Sequence, residues 1–233
     1  MADRATTSRA DDLYRRLRSD ILNGRLLPGT KLHMTKLCQE YGISSGVLRE
    51  ALPRLVGEGL AVAEPQRGYQ VMEISVEDLQ QLAEVRILIE GTALRQSVEH
   101  GDVGFESALV AAHHTLSRTE PLNGDGTVRE AWLEAHSEFH HALLAGCPNL
   151  RLQAIAAHLR DSTEVYRCWS GKLGRGDRGD RDVAGEHRRI LEATVSRGAD
   201  KAVAELTAHI VHTTTLMIDV QSRLDAGGAR AAG

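Results

Sequence analysis

"SSGVLREALPRLVGEG" (residues 44–59), followed without a break by "LAVAEPQRGYQVMEI" (residues 60–74), switches period part-way, and the switch decides the fold. In the first half Ser44 is a natural N-cap, and Leu48, Ala51, Leu52 and Leu55 recur at helical spacing until Gly57 to Gly59 stop the helix. In the second half two β-prone runs flank "EPQRG", a hairpin signal with Gly68 in the turn. Pro53 lies inside the helix, where it removes the hydrogen bond to the Arg49 carbonyl and predicts a kink.

Upstream, Leu13, Tyr14, Leu17, Ile21 and Leu22 predict a helix that ends at Gly24, and residues 1–9 are polar and expected to fray. "LLPGTKL" reads as a turn through Pro28 and Gly29, and "MTKLCQEYG" as a short helix ending at Gly42. Three helices and a hairpin in about 60 residues form a winged helix-turn-helix pattern, expected over residues 10–74.

Downstream no strand pattern remains. "SVEDLQQLAEVRILIEGTALRQSVEHG" opens with Ser75 and Asp78 as a capping box and predicts a helix up to Gly101. Further helices are expected at about 103–118, 127–146, 149–169, 182–197 and 199–221, separated by "EPLNGDG", "CPN", "SGKLGRGDRGDRD" and "RGAD". The fold class is therefore mainly α: the winged domain, then an all-α antiparallel bundle over 75–222. The tail, 223–233, has too little to bury and is expected to be disordered.

The chain has 233 residues and a formal charge of −4. Residues 1–75 hold 11 Lys and Arg against 9 Asp and Glu, and the remainder 17 against 23. A mildly basic front on an acidic body points to a polyanion partner for the front. Cys38, Cys147 and Cys168 are an odd set without paired spacing, which argues against a disulfide framework and for a reducing compartment. With no apolar run of membrane length and no secretory signal in "MADRATTSRADD", the expected location is the cytoplasm.

"LRSDILNGRLLPGTKL", "YGIS", "VLREALPRLVGEGLA" and "RGYQV" resemble the winged-helix domain of the GntR transcription factors. "EVRILIEGTAL", "FHHALLAGCPN" and "EHRRILEATVSRGADKAVAELTAHI" resemble the FadR-type effector domain, FCD, so the resemblance spans nearly the whole chain. Within that group, "HSEFHHALLAGC" with "GYQV" is most similar to the glutarate-responsive regulators of carbon-starvation genes. The resemblance implies a homodimeric repressor that reads a palindromic operator in double-stranded DNA. It makes Arg49 the base-reading arginine, at the front of a helix of the kind that enters the major groove. Ser44 and Ser45 can cap that helix or donate to phosphate, Arg67 and Gly68 sit at the wing tip, and Thr35, Lys36 and His33 are phosphate candidates. Relatives usually carry Arg at Ser45 and Thr at Gly46, so a different operator is expected.

His136 and His140 are one helical turn apart, so both rings can face one point, although such a pair is often incidental. His187 lies 11 residues before Gly198 and His209 lies 11 after it, which puts them at equal height in a hairpin turning at "RGAD". The FCD resemblance makes His140, His187 and His209 metal ligands and matches His136 to a position that is usually Asp. A nitrogen-rich set favours Zn²⁺ or Ni²⁺. A small carboxylate or dicarboxylate effector is then expected, with Arg86, Arg160, Tyr166 and Arg167 as candidate contacts, Arg86 having an ion pair with Glu90 as its structural alternative. His212 is a possible substitute ligand, and His141 should lie off the cluster.

A zinc hydrolase would place its base as in H-E-x-x-H, but "HSEFH" turns Glu138 about 100° away. No P-loop motif is present either. A sensor is the leading reading. A direct metal-responsive regulator is the alternative, and a zinc-dependent hydrolase a more remote one.

Overall fold

The computed structural model describes residues 8–22, 25–73, 75–124, 128–173 and 181–231. By contact the chain divides into two compact units, Met1–Ser75 with Glu164–Trp169, and Val76–Thr163 with Ser170–Gly233.

The first unit begins with α1 (Arg9–Leu22), α2 (Met34–Tyr41) and α3 (Ser45–Gly57). Ser44 caps α3 by accepting from the Val47 N–H, and Gly42 ends α2 in the left-handed conformation at φ 65°. Leu13, Leu17 and Ile21 of α1 and Leu48, Leu52 and Leu55 of α3 are fully buried. Each such side chain contributes about 1.5–3 kcal/mol by leaving water. α3 is continuous through Pro53 to Gly57.

β1 (Ala61–Glu64) and β2 (Gly68–Val71) pair antiparallel, Ala61 opposite Val71 and Glu64 opposite Gly68. The stretch expected only as a turn does more: Lys31 bridges Gln70, with Leu32 N–H donating to Tyr69 and Val71 N–H to Thr30. Gly29, at φ 72°, lets the chain swing back onto β2.

The regular elements described beyond Ser75 are helices: α4 (Val76–His100), α5 (Val103–Arg118), α6 (Glu130–Leu144), α7 (Leu150–Leu173), of which Glu164–Trp169 groups with the first unit, α8 (Val183–Val195) and α9 (Ala199–Ala231). The core of the second unit holds Leu94, Leu109, Phe139, Leu143, Ile190 and Leu206, all essentially without exposure. α8 and α9 form the hairpin expected around "RGAD". Arg197 sits there at φ 59°, donating to the carbonyls of Val98 and Gly101 at the end of α4. Gly146 is required at the α6–α7 turn, where a Cβ would lie 2.8 Å from the Ser97 carbonyl oxygen. Several boundaries differ from expectation, and α7, expected to end at 169, runs to Leu173. α6 starts at Glu130, because Leu122 bridges Val128 ahead of it, and α9 runs to Ala231, through the segment expected as a disordered tail. That tail is rich in alanine, the strongest helix former.

Candidate functional site

The first unit offers a surface at the start of α3, on α2 and at the hairpin tip. His33, Thr35, Lys36, Ser44, Ser45, Arg49, Arg67 and Gly68 are all exposed. The tip is tight, with Gln66 at φ 64° and Gly68 at φ 93°. Several other cations of this unit are held by partners. Arg18 pairs with Glu58 at 3.2 Å, Arg25 with Asp20 at 3.1 Å, and Arg54 with Asp11 while stacking over Tyr14. Among the described residues no ion pair holds Lys36, Arg49 or Arg67. Gly46 is not forced by packing, since a Cβ there would meet only the Ser44 hydroxyl at 3.8 Å.

The second unit brings His136, His140, His187 and His209 together, one ligand nitrogen from each lying within 4.8 Å of all the others. Ring centroids are 4.5 Å apart for the α6 pair and 4.8 Å for the pair across the α8–α9 hairpin. His140, His187 and His209 are buried, and His136 is half-buried beneath Trp132, stacked at 4.9 Å. Phe139 lies edge-on to His140 and His187 and closes an apolar wall.

Burial pushes His140 well below the usual imidazole range, and the guanidinium groups of Arg160 and Arg86 and the crowding of the imidazoles of His209 and His187 push the same way. Burial lowers His209 too, opposed in part by its bond to Glu186. Both rings are thus neutral, as a metal ligand must be. Neither ring nitrogen of His140 has a hydrogen-bond partner, although both are buried. An orphaned imidazole facing three others fits a bound cation.

Glu186 stands behind the cluster. Its carboxylate lies 2.7 Å from His209 Nδ1 and takes two bonds from Arg181, at 2.8 and 2.5 Å. Burial alone would raise its pKa, but the hydrogen bonds from Arg181 and His209 hold it far below the usual carboxylate range. His212, expected as a possible substitute ligand, instead lies 3.4 Å from Glu186 and is largely exposed. His141 and Glu138 are exposed on α6.

Of the candidate effector contacts, Arg86 is buried and donates to Glu90 at 2.6 Å and to Thr163 at 3.3 Å, so its structural alternative is realised. Arg160 donates to the His140 carbonyl at 2.7 Å, and its buried Nε has no partner. Glu90 Oε2, 3.9 Å from Arg160, is also without a hydrogen bond. Two buried guanidinium groups against one carboxylate leave an excess positive charge beside the histidines. Tyr166 is buried, in the stretch that groups with the first unit, while the Arg167 side chain lies outside the described residues.

Residues 9–71 match the bacterial regulatory proteins of the gntR family, and residues 81–212 match the FCD domain. The chain belongs to the GntR family and carries an FCD domain. Among curated relatives, the uncharacterized HTH-type transcriptional regulator BphR of Paraburkholderia xenovorans is 34% identical over 84% of this chain and 80% of its own length. The HTH-type transcriptional repressor GlaR of Escherichia coli is 29% identical over 86% and 91%. Among solved structures, E. coli McbR/YncC superposes with a TM-score of 0.70 at 18% identity, covering 91% of this chain and 98% of that one, a likeness of fold. This GntR protein is a DNA-binding transcriptional regulator rather than an enzyme. Around the histidines, the residues that sequence reading missed are Arg181, Glu186 and Thr213. The pair "EH" at 186–187 was visible, but nothing in its spacing showed that Glu186 would reach a histidine on another helix.

Proposed function

We propose that the protein is a repressor that binds a palindromic operator as a homodimer, and that a small carboxylate bound in the FCD domain weakens that binding. Lys36, Arg49 and Arg67, unpaired within the described chain, are the cations that meet DNA, with Thr35, Ser44, Ser45 and the Gly68 backbone alongside. His136, His140, His187 and His209 would hold Zn²⁺ or Ni²⁺, which supplies a positive anchor for a carboxylate oxygen. The observation that carries this reading is the orphaned, buried His140 ring beside Arg160, whose Nε is itself a buried donor in want of an acceptor. Arg160 is therefore the preferred carboxylate contact, and Arg86 supports it through Glu90. By sequence resemblance glutarate is the first acid to try.

A second reading, that the metal alone is the signal, rests on the same orphaned imidazole. Fluorescence anisotropy with DNA from upstream of the gene, using chelator-stripped protein, separates the two. The expected course is tight binding after Zn²⁺ is restored and release on adding glutarate or another short dicarboxylate. Response to Zn²⁺ with none to any acid favours direct metal sensing and sinks the carboxylate reading.

A further inference from the structure

The four histidines are held from behind by a charged clamp that belongs to no ligand set. Arg181, just ahead of α8, lays its guanidinium fork along the Glu186 carboxylate, Nε on Oε1 and a terminal nitrogen on Oε2. The same nitrogen donates to the Thr213 hydroxyl at 2.8 Å, and that hydroxyl donates to the His209 carbonyl at 2.8 Å. Four residues from the α8 N-terminus and from α9 are thus tied around one ring. A forked guanidinium bonds an ionised carboxylate, which can only accept. The 2.7 Å contact between Glu186 Oε2 and His209 Nδ1 therefore requires the proton on Nδ1. Arg181 also approaches Nδ1, but at 3.5 Å, too long to compete.

We propose that Glu186, fixed by Arg181, is the positioning residue of the histidine centre: it holds His209 in the Nδ1–H tautomer and so presents the Nε2 lone pair to a metal ion. An imidazole hydrogen-bonded to a carboxylate is both oriented and more basic, and loss of such a partner typically costs 10–100-fold in metal affinity. Arg181 acts through Glu186, keeping its second oxygen occupied so that the carboxylate does not turn away. The inference rests on the metal reading above, and the two can fail separately.

The test uses the full chain. Zn²⁺ affinity is measured by competition with a chromogenic chelator for wild-type, Glu186→Gln, Glu186→Ala and Arg181→Ala proteins. Arg189→Ala serves as the control, because Arg189 pairs with Glu205 across the same two helices at 3.3 Å, on the exposed side. Affinity is expected to fall about tenfold for Glu186→Gln and up to about a hundredfold for Glu186→Ala, with Arg181→Ala between them and the control unchanged. In parallel, ¹⁵N chemical shifts of the His209 ring are read in metal-free wild-type protein, a measurement independent of whether any variant folds. The expected pattern is protonation at Nδ1. Protonation at Nε2, or variant affinities within about two-fold of wild type, overturns the assignment. Failure of the wild-type chain to bind Zn²⁺ at all overturns the metal reading with it.

Discussion

At the residue scale, the buried imidazoles make the metal-free protein sensitive to acid. His140 and His209 titrate below 6.5, the value they regain once unfolded. As pH falls through 6.5 the unfolded chain takes up protons that the folded chain refuses, so stability present at higher pH is lost. The melting temperature in chelator should therefore be level above pH 7.5 and fall between pH 6.5 and 5.5; a flat profile there would contradict the neutral, desolvated cluster. How much of the centre the sequence revealed follows from periodicity. His136 and His140 share a face because four residues make about one turn, and His187 and His209 share a height because both lie 11 residues from Gly198. Arg181 obeys no period. It ends a Gly, Arg and Asp run, and its partners Glu186, His209 and Thr213 are chosen by packing.

At the element scale, helix ends set by capping chemistry could be read ahead, whereas single cross-chain contacts could not. α5 was expected at 103–118 and spans Val103–Arg118, because Asp102 accepts from the Phe105 N–H at 2.8 Å and stops fraying at that end. Replacing Asp102 with Ala should cost about 1 kcal/mol, read as a lower urea midpoint at unchanged slope. Lys31 opposite Gln70 is a one-residue bridge with no alternation to announce it. Arg197 is likewise hidden. "RGAD" reads as a simple turn, yet the guanidinium of Arg197 within it closes open carbonyls at the end of α4, 96 residues upstream in the case of Gly101. Pro53 removes a backbone donor inside α3, yet the helix continues to Gly57, with Leu52 and Leu55 on either side of it buried in the core.

At the scale of the whole molecule, a mildly basic front precedes an acidic body, and ion pairs tie some of the front's cations, Arg54 among them, into the fold while none among the described residues holds Arg49. Arg49→Ala should cost about 1–3 kcal/mol of operator affinity and relax preference at one base position, whereas Arg54→Ala should lower stability first, since Arg54 is spent on Asp11 and Tyr14. Binding isotherms on the operator and on point-substituted duplexes check the first; thermal melts check the second. The stack of Trp132 on His136 has a practical consequence for all of these measurements. An indole lying flat on an imidazole is quenched according to that ring's charge and ligation, and the chain has only one other tryptophan, Trp169. The protein therefore carries its own optical gauge: emission should change as Zn²⁺ is added, the change should vanish in Trp132→Phe, and occupancy of the centre can be followed in unlabelled protein while it sits on DNA.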